Sequence, residues 1–237
     1  MQKNPAMQPT AKREGILAHA EGCVLAGGAS SRFGAEKSLA LLAGQPLITH
    51  ALQQLRAAGI PASIAGAASP ALAAFAPVCP DILPGKGPLS GLHAALQAST
   101  AEWLLFLPVD MPLIPVFVLQ SMLHRACLTQ APVTCWQLQG RLQPLPVLLH
   151  RSLALRIEQA LAAGMGCAQL WRSMSGVDAP AVEDLLQCAQ LPQHPIPTQL
   201  WWQSANTPAD FAAIQAIYPA TFPVTFSMRD KSRTLEA

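Results

Sequence analysis

The 237-residue chain fits one large α/β domain, and a hydrophobic fraction of 51% supplies a full core. Charged residues make up only 12%, and the formal net charge is +2. So thin a basic excess argues against a duplex nucleic-acid binder and favours a small anionic partner met by a few local cations.

The opening stretch Met1 to Thr10 is polar and contains proline, without the apolar block of a secretory signal. Residues 1–20 are expected to form a disordered extension, 21–220 a single domain and 221–237 a C-terminal tail. No apolar run reaches the roughly 18 residues that a membrane span needs, so no membrane partner is expected and the cytoplasm is the expected compartment. The six cysteines (Cys23, Cys79, Cys127, Cys135, Cys167 and Cys188) contain no C-x-x-C pair. They read as buried free thiols rather than as zinc ligands or a disulfide framework.

In chain order, Gly22 to Leu25 is a short apolar strand that stops at the pair Gly27-Gly28. Pro46 to Ala58, closed by Gly59, carries the punctuation of a helix. Pro61 to Ala65 and Pro77 to Pro80 read as short strands, and Leu89 to Ala98 as a helix after the loop Gly85-Lys86-Gly87-Pro88. Trp103 to Leu107, stopped by Pro108, is too short for a helix and reads as a buried central strand. Pro115 to Thr129 is helical, Val133 to Leu138 and Leu145 to Leu149 are strands, and Arg151 to Ala163 is a helix. The stretch from Val177 to Gln199 is broken by prolines and resists assignment. Pro208 to Ile217 is the last helix, capped by Thr207 with Asp210 in its first turn. The alternation predicts a three-layer α/β/α, Rossmann-like fold with a mainly parallel sheet.

The most informative segment is Leu25-Ala-Gly-Gly-Ala-Ser-Ser-Arg-Phe-Gly-Ala-Glu-Lys37. Glycines directly after a strand let backbone N–H groups approach phosphate oxygens. Arg32 and Lys37 on the same loop can neutralise a triphosphate, the first as a planar fork and the second as a mobile point charge. The spacing is neither G-x-x-x-x-G-K-[ST] nor G-x-G-x-x-G, which disfavours a Walker loop or a dinucleotide fold. Asp110, in Pro108-Val-Asp-Met-Pro112, stands at the carboxyl end of the buried strand, where ligands of open α/β sheets bind. A carboxylate there can hold a metal among phosphate oxygens, or it can cap the next helix. Taken alone, Asp81 reads as a turn residue, and Asn206-Thr207-Pro208 as an ordinary helix cap. Trp201 and Trp202 are expected in the core rather than stacked on a ligand; His93 is at most a helix residue near the site, and the other five histidines are expected to be structural or at the surface. Arg141, beside Gln143, either reaches an anionic substrate or is a solvated hairpin tip.

Together these segments resemble the molybdenum cofactor guanylyltransferases. The pattern L-A-G-G-x-S-x-R-[MF]-G-x-x-K is met from Leu25 to Lys37. It continues through Leu39, Leu42, Gly44, Pro46 and Leu47. Further matches are Asp81 ahead of Gly87-Pro88-Leu89-Ser90-Gly91, then Pro108 to Pro112, Gln143-Pro144-Leu145 and Asn206 to Asp210. The resemblance implies nucleotide contacts at Leu25, Ala26, Gly27, Gly28, Lys37, Asp81 and Asp110. It implies catalytic roles for Arg32, Lys37 and Asp110, and Mg2+ held by Asp110 with Asn206. It further implies GTP and the molybdopterin cofactor as substrates, with transient contacts to cofactor-delivery proteins and apo-molybdoenzymes. Two positions depart from the pattern. The region of an asparagine expected after the second strand holds Ile64-Ala65-Gly66-Ala67, and Ser204 stands where the first of two asparagines is expected. The alternatives are a cytidylyltransferase or a sugar or isoprenoid nucleotidyltransferase on the same fold, and a nucleotide-binding protein without catalysis.

Overall fold

The computed structural model describes residues 16–27, 36–66, 70–83, 85–188 and 194–218. Its central element is a seven-stranded sheet in the order β5-β4-β1-β6-β8-β7-β9. The strands are β1 (Ala20–Leu25), β4 (Ala62–Ala65), β5 (Val78–Cys79), β6 (Trp103–Pro108), β7 (Val133–Leu138), β8 (Arg141–His150) and β9 (Val177–Asp178). A separate small hairpin joins β2 (Leu41–Leu42) to β3 (Gln45–Pro46). In the main sheet β8 pairs antiparallel with both β6 and β7, and every other pairing is parallel. The sheet is therefore mainly parallel, with one strand running against the rest.

Alternation along β6 builds the layers. Trp103, Leu105 and Leu107 point into one apolar cluster, and Leu104 and Phe106 into the other. All six residues of the strand are buried, as expected for a strand covered on both faces. Helices α1 (Leu47–Ala57), α3 (Val116–Thr129), α6 (Val182–Cys188) and α7 (Pro208–Ile217) supply buried side chains to the first cluster. Helices α2 (Pro88–Ala98), α4 (Ala154–Ala162) and α5 (Cys167–Ser173) supply the second. The three-layer α/β/α arrangement follows.

The core reaches further back than the expected extension. Ile16 is buried in the first cluster, Leu17 packs against it, and β1 starts at Ala20. Arg151–Leu153 is a short 3-10 turn preceding α4 rather than part of it, with His150 Nδ1 accepting from Ser152 N. The stretch that resisted assignment holds β9, α6 and a 3-10 turn at Thr198–Leu200. Trp201 and Trp202 are buried, and their indole N–H groups donate to Ile196 O and Leu145 O. Cys23, Cys127, Cys135 and Cys167 are buried, and burial pushes the thiols of Cys23, Cys135 and Cys167 up to about 12. Among the described residues no helix is long and apolar enough to cross a membrane.

Candidate active site

The chain runs from β1 outward through β4 and β5, then returns to lay β6 on the other side of β1. The carboxyl ends of β1 and β6 thus flank a topological switch point, where open α/β sheets bind ligands. Two groups of residues meet there.

On the β4 side the backbone decides. Gly27 follows β1 so closely packed against Gly66 that a Cβ on it would lie 2.2 Å from Gly66 O, a distance no side chain survives. Gly66 has φ +78°, the left-handed region that favours glycine. It stands where the expected asparagine is absent. Leu25 is buried and its carbonyl accepts from Val109 N at 3.1 Å, while Ala26 N donates to Ala65 O at 2.9 Å. These two residues spend those groups on the sheet and place Gly27, which is exposed. Gly28 and Arg32 lie outside the described residues.

Asp81 borders this glycine wall. Its Oδ1 lies 3.3 Å from where a Cβ on Gly66 would stand and 3.7 Å from one on Gly91. Among the described residues that oxygen is buried without a hydrogen-bond partner. Burial pushes the Asp81 carboxyl above its usual range. The neighbouring Ser90 hydroxyl opposes the rise, although its hydrogen goes to Leu83 O at 2.6 Å. A turn-forming Asp would spend its carboxylate on local N–H groups; an orphaned oxygen facing a glycine wall fits a ligand contact instead.

On the β6 side the side chains decide. Lys37 opens a 3-10 turn, Lys37–Leu39, and its Nζ donates to Asp110 Oδ2 at 2.8 Å and to Asn206 Oδ1 at 3.1 Å. The Lys37 and Asp110 side chains are only 13% and 20% exposed, so this pair is far less screened than a surface ion pair. Asp110 does not cap the next helix, whose N-cap is Pro115. Asn206 does not cap the last one either. There Thr207 and Asp210 form a reciprocal capping box, which leaves the Asn206 amide for Lys37. Two braces fix the constellation. Ala205 N donates to Asp110 O at 2.9 Å, and the buried Gln54 amide of α1 donates to Pro112 O and Ile114 O at 3.1 and 2.6 Å.

Asp110 Oδ2 and Asn206 Oδ1 converge on one ammonium, and oxygen donors so placed suit a hard divalent cation as well as a lysine. Among the described residues no three His, Cys, Asp or Glu side chains gather into a cage.

A profile of the MobA-like NTP transferase domain matches residues 22–181. This chain belongs to that family. It is a nucleotidyltransferase of the MobA type. The probable molybdenum cofactor guanylyltransferase of Deinococcus radiodurans is 34% identical over 191 residues, covering 81% of this chain and 91% of the relative. The molybdenum cofactor guanylyltransferase of Xanthomonas euvesicatoria pv. vesicatoria is 33% identical over 172 residues, covering 70% and 79%. Among solved structures, molybdopterin-guanine dinucleotide biosynthesis protein A from Archaeoglobus fulgidus superposes with a TM-score of 0.68 at 22% identity, covering 83% of this chain and 97% of that one. At that identity the likeness speaks for the fold.

One functional candidate escaped the motifs. Arg172, on the short helix α5, shares a cavity with Arg141 at the tip of the β7–β8 hairpin. Nothing in the local sequence of α5 marks it as bearing on a site.

Proposed function

We propose that the chain transfers GMP from GTP to a molybdopterin-type acceptor, with release of pyrophosphate. The observation that carries this reading is the convergence of Lys37, Asp110 and Asn206 beside the glycine-walled end of β1. The names of the relatives supply the nucleotide and the acceptor.

The acceptor's phosphate monoester is ionised near neutral pH, its second pKa being about 6. One of its oxygens attacks the α-phosphorus, a new P–O bond forms, and the bond to the bridging α–β oxygen breaks as pyrophosphate leaves. No proton needs removal by a strong base. The barrier lies in bringing anions together and holding them in line. Gly27, lacking a Cβ, lets the phosphate chain lie against backbone. Lys37 balances the charge gathering on the leaving pyrophosphate, and Arg32 on the same loop is assigned to help it. Asp81, with its unpartnered Oδ1, is assigned to accept from the nucleotide. Magnesium held by Asp110 with Asn206 would supply the further positive charge shared among phosphate oxygens.

The test is a nucleotide panel. With magnesium, GTP should raise the melting temperature, and molybdopterin-loaded protein should release pyrophosphate from GTP. Lys37→Ala and Asp110→Ala should each abolish turnover while the protein stays folded. A melting shift with CTP and none with GTP would overturn the nucleotide assignment. Full turnover in both variants would overturn the roles.

A further inference from the structure

A cavity of about 650 Å³ opens between the tip of the β7–β8 hairpin and α5, lined by Gln137, Gly140, Arg141, Gln143, Trp171 and Arg172 among others. Its volume lies in the range of small-molecule sites. Because β7 runs parallel to β6, separated from it only by β8, the end of β7 at Leu138 lies on the same sheet edge as Asp110. Pairing of β6 with β8 ends at Phe106 and Val147, while β7 and β8 continue together to Leu138 and Arg141. The hairpin therefore extends past the pairing with β6, at the end of the sheet that carries Asp110.

The cavity's charge is one-sided. Both arginines are exposed, and among the described residues neither forms an ion pair. Among the described residues no carboxylate lines the space. The nearby Glu183 accepts from Gln139 N at 3.1 Å and so pins the turn. Gln139 and Gly140 both have positive φ (51° and 71°), the two-residue turn that matches strand twist, so Arg141 sits on a rigid tip. The wall is equally fixed. Pro144 and Pro146 have no N–H to give the ladder, and the carbonyls of Pro144 and Leu145 accept from Trp171 Nε1 and Trp202 Nε1, each at 3.1 Å. Trp171 forms the cavity's back, and Trp202 leads four residues later to Asn206. One strand thus braces the cavity and the metal-side constellation together.

We infer that this cavity binds the acceptor, with Arg141 and Arg172 gripping its anionic group and Gln137 and Gln143 facing its polar ring. The inference rests on the transfer reaction proposed above and assigns its second substrate. A nucleotide gripped at Gly27, Lys37 and Asp110 leaves the acceptor to approach from the β8 side, where two unpaired guanidiniums wait. Planar forks suit a phosphate or another delocalised anion.

The experiment compares wild-type protein with Arg141→Ala, Arg172→Ala, the double variant and Arg141→Lys, using molybdopterin and GTP. Each alanine should raise the KM for molybdopterin about 10-fold and the double variant about 100-fold, with Arg141→Lys in between. The KM for GTP and the melting shift with GTP should not move, which also reports an intact fold. An unchanged molybdopterin KM in the double variant, or a GTP KM rising in step with it, would overturn the assignment. If wild-type protein transfers no nucleotide at all, the reaction reading fails separately. The cavity is then judged by binding of metal-free molybdopterin, read through tryptophan fluorescence. Binding weakened in the double variant upholds the cavity; absent or unchanged binding removes it.

Discussion

The two halves of the sheet prepare for ligands by different means. From β5 to β6 the strands are parallel and the site is made of what is missing: no Cβ at Gly27 or Gly66, no partner for Asp81 Oδ1 among the described residues. From β8 to β9 the chain doubles back, and the cavity is made of side chains held out on a rigid hairpin and a short helix. A backbone cradle tolerates little substitution where, as at Gly27 and Gly66, two backbones already touch. A side-chain cavity can change its residues one at a time. Chemistry common to all phosphate donors suits the first, and choice of acceptor suits the second.

Four substitutions would break or sharpen that contrast. The largest effect is expected from Asp110→Asn, which keeps size and removes charge. Turnover should fall about 10³-fold with little change in melting temperature, the scale seen when a charge-stabilising group is lost. Steady-state kinetics beside a thermal melt would check it. Next is Gly27→Ala. Its Cβ would meet Gly66 O at 2.2 Å, so backbone must shift. A loss of about 3 kcal/mol in denaturant unfolding and disappearance of the GTP melting shift are expected. A variant as stable as wild type would show that the cradle is not close-packed.

Asp81→Asn should act in opposite directions on binding and stability. Loss of the carboxylate should weaken nucleotide binding about 10-fold by calorimetry. Burial raises the carboxyl's pKa in the folded chain, so at neutral pH the ionised group costs stability and asparagine should melt higher. As pH falls from the raised value through the usual carboxylate range, native Asp81 takes up its proton. The two proteins should then converge, and below that range the gap should close. The smallest effect is expected in the other half. Arg125 of α3 grips Asp178 of β9 through two bonds of 2.7 and 2.6 Å. Arg125→Ala should cost about 1 kcal/mol, a few degrees of melting, and leave the KM values alone.

The same division governs what could be read from sequence. The parallel half announces itself, because strands such as Trp103 to Leu107 are short apolar runs stopped by proline, and Gly27, Asp81 and Asp110 fall directly after strands. Roles that depend on a distant partner were less legible. The cap at Thr207 is legible, but that Asn206 serves Lys37 instead becomes visible only when residues 169 apart in the chain meet. In the hairpin half, β9 is two residues long between Gly176 and the pair Ala179-Pro180, and α5 spans seven residues, too short for a helical period to stand out. Arg141 drew attention at a turn beside Gln143. Arg172 did not, because its only tie to Arg141 is the tertiary packing that sets α5 against β8.

The strand that runs against the others has a consequence for how such enzymes diversify. A hairpin built on β7 and β8 can grow or shrink at its tip while β1, β4 and β6 keep their register. Adding two residues to each arm would preserve which faces point inward and carry Arg141 outward by about 7 Å. If the acceptor binds at this hairpin as inferred above, the hairpin would act as an adjustable ruler, setting how long an acceptor must be to reach the nucleotide.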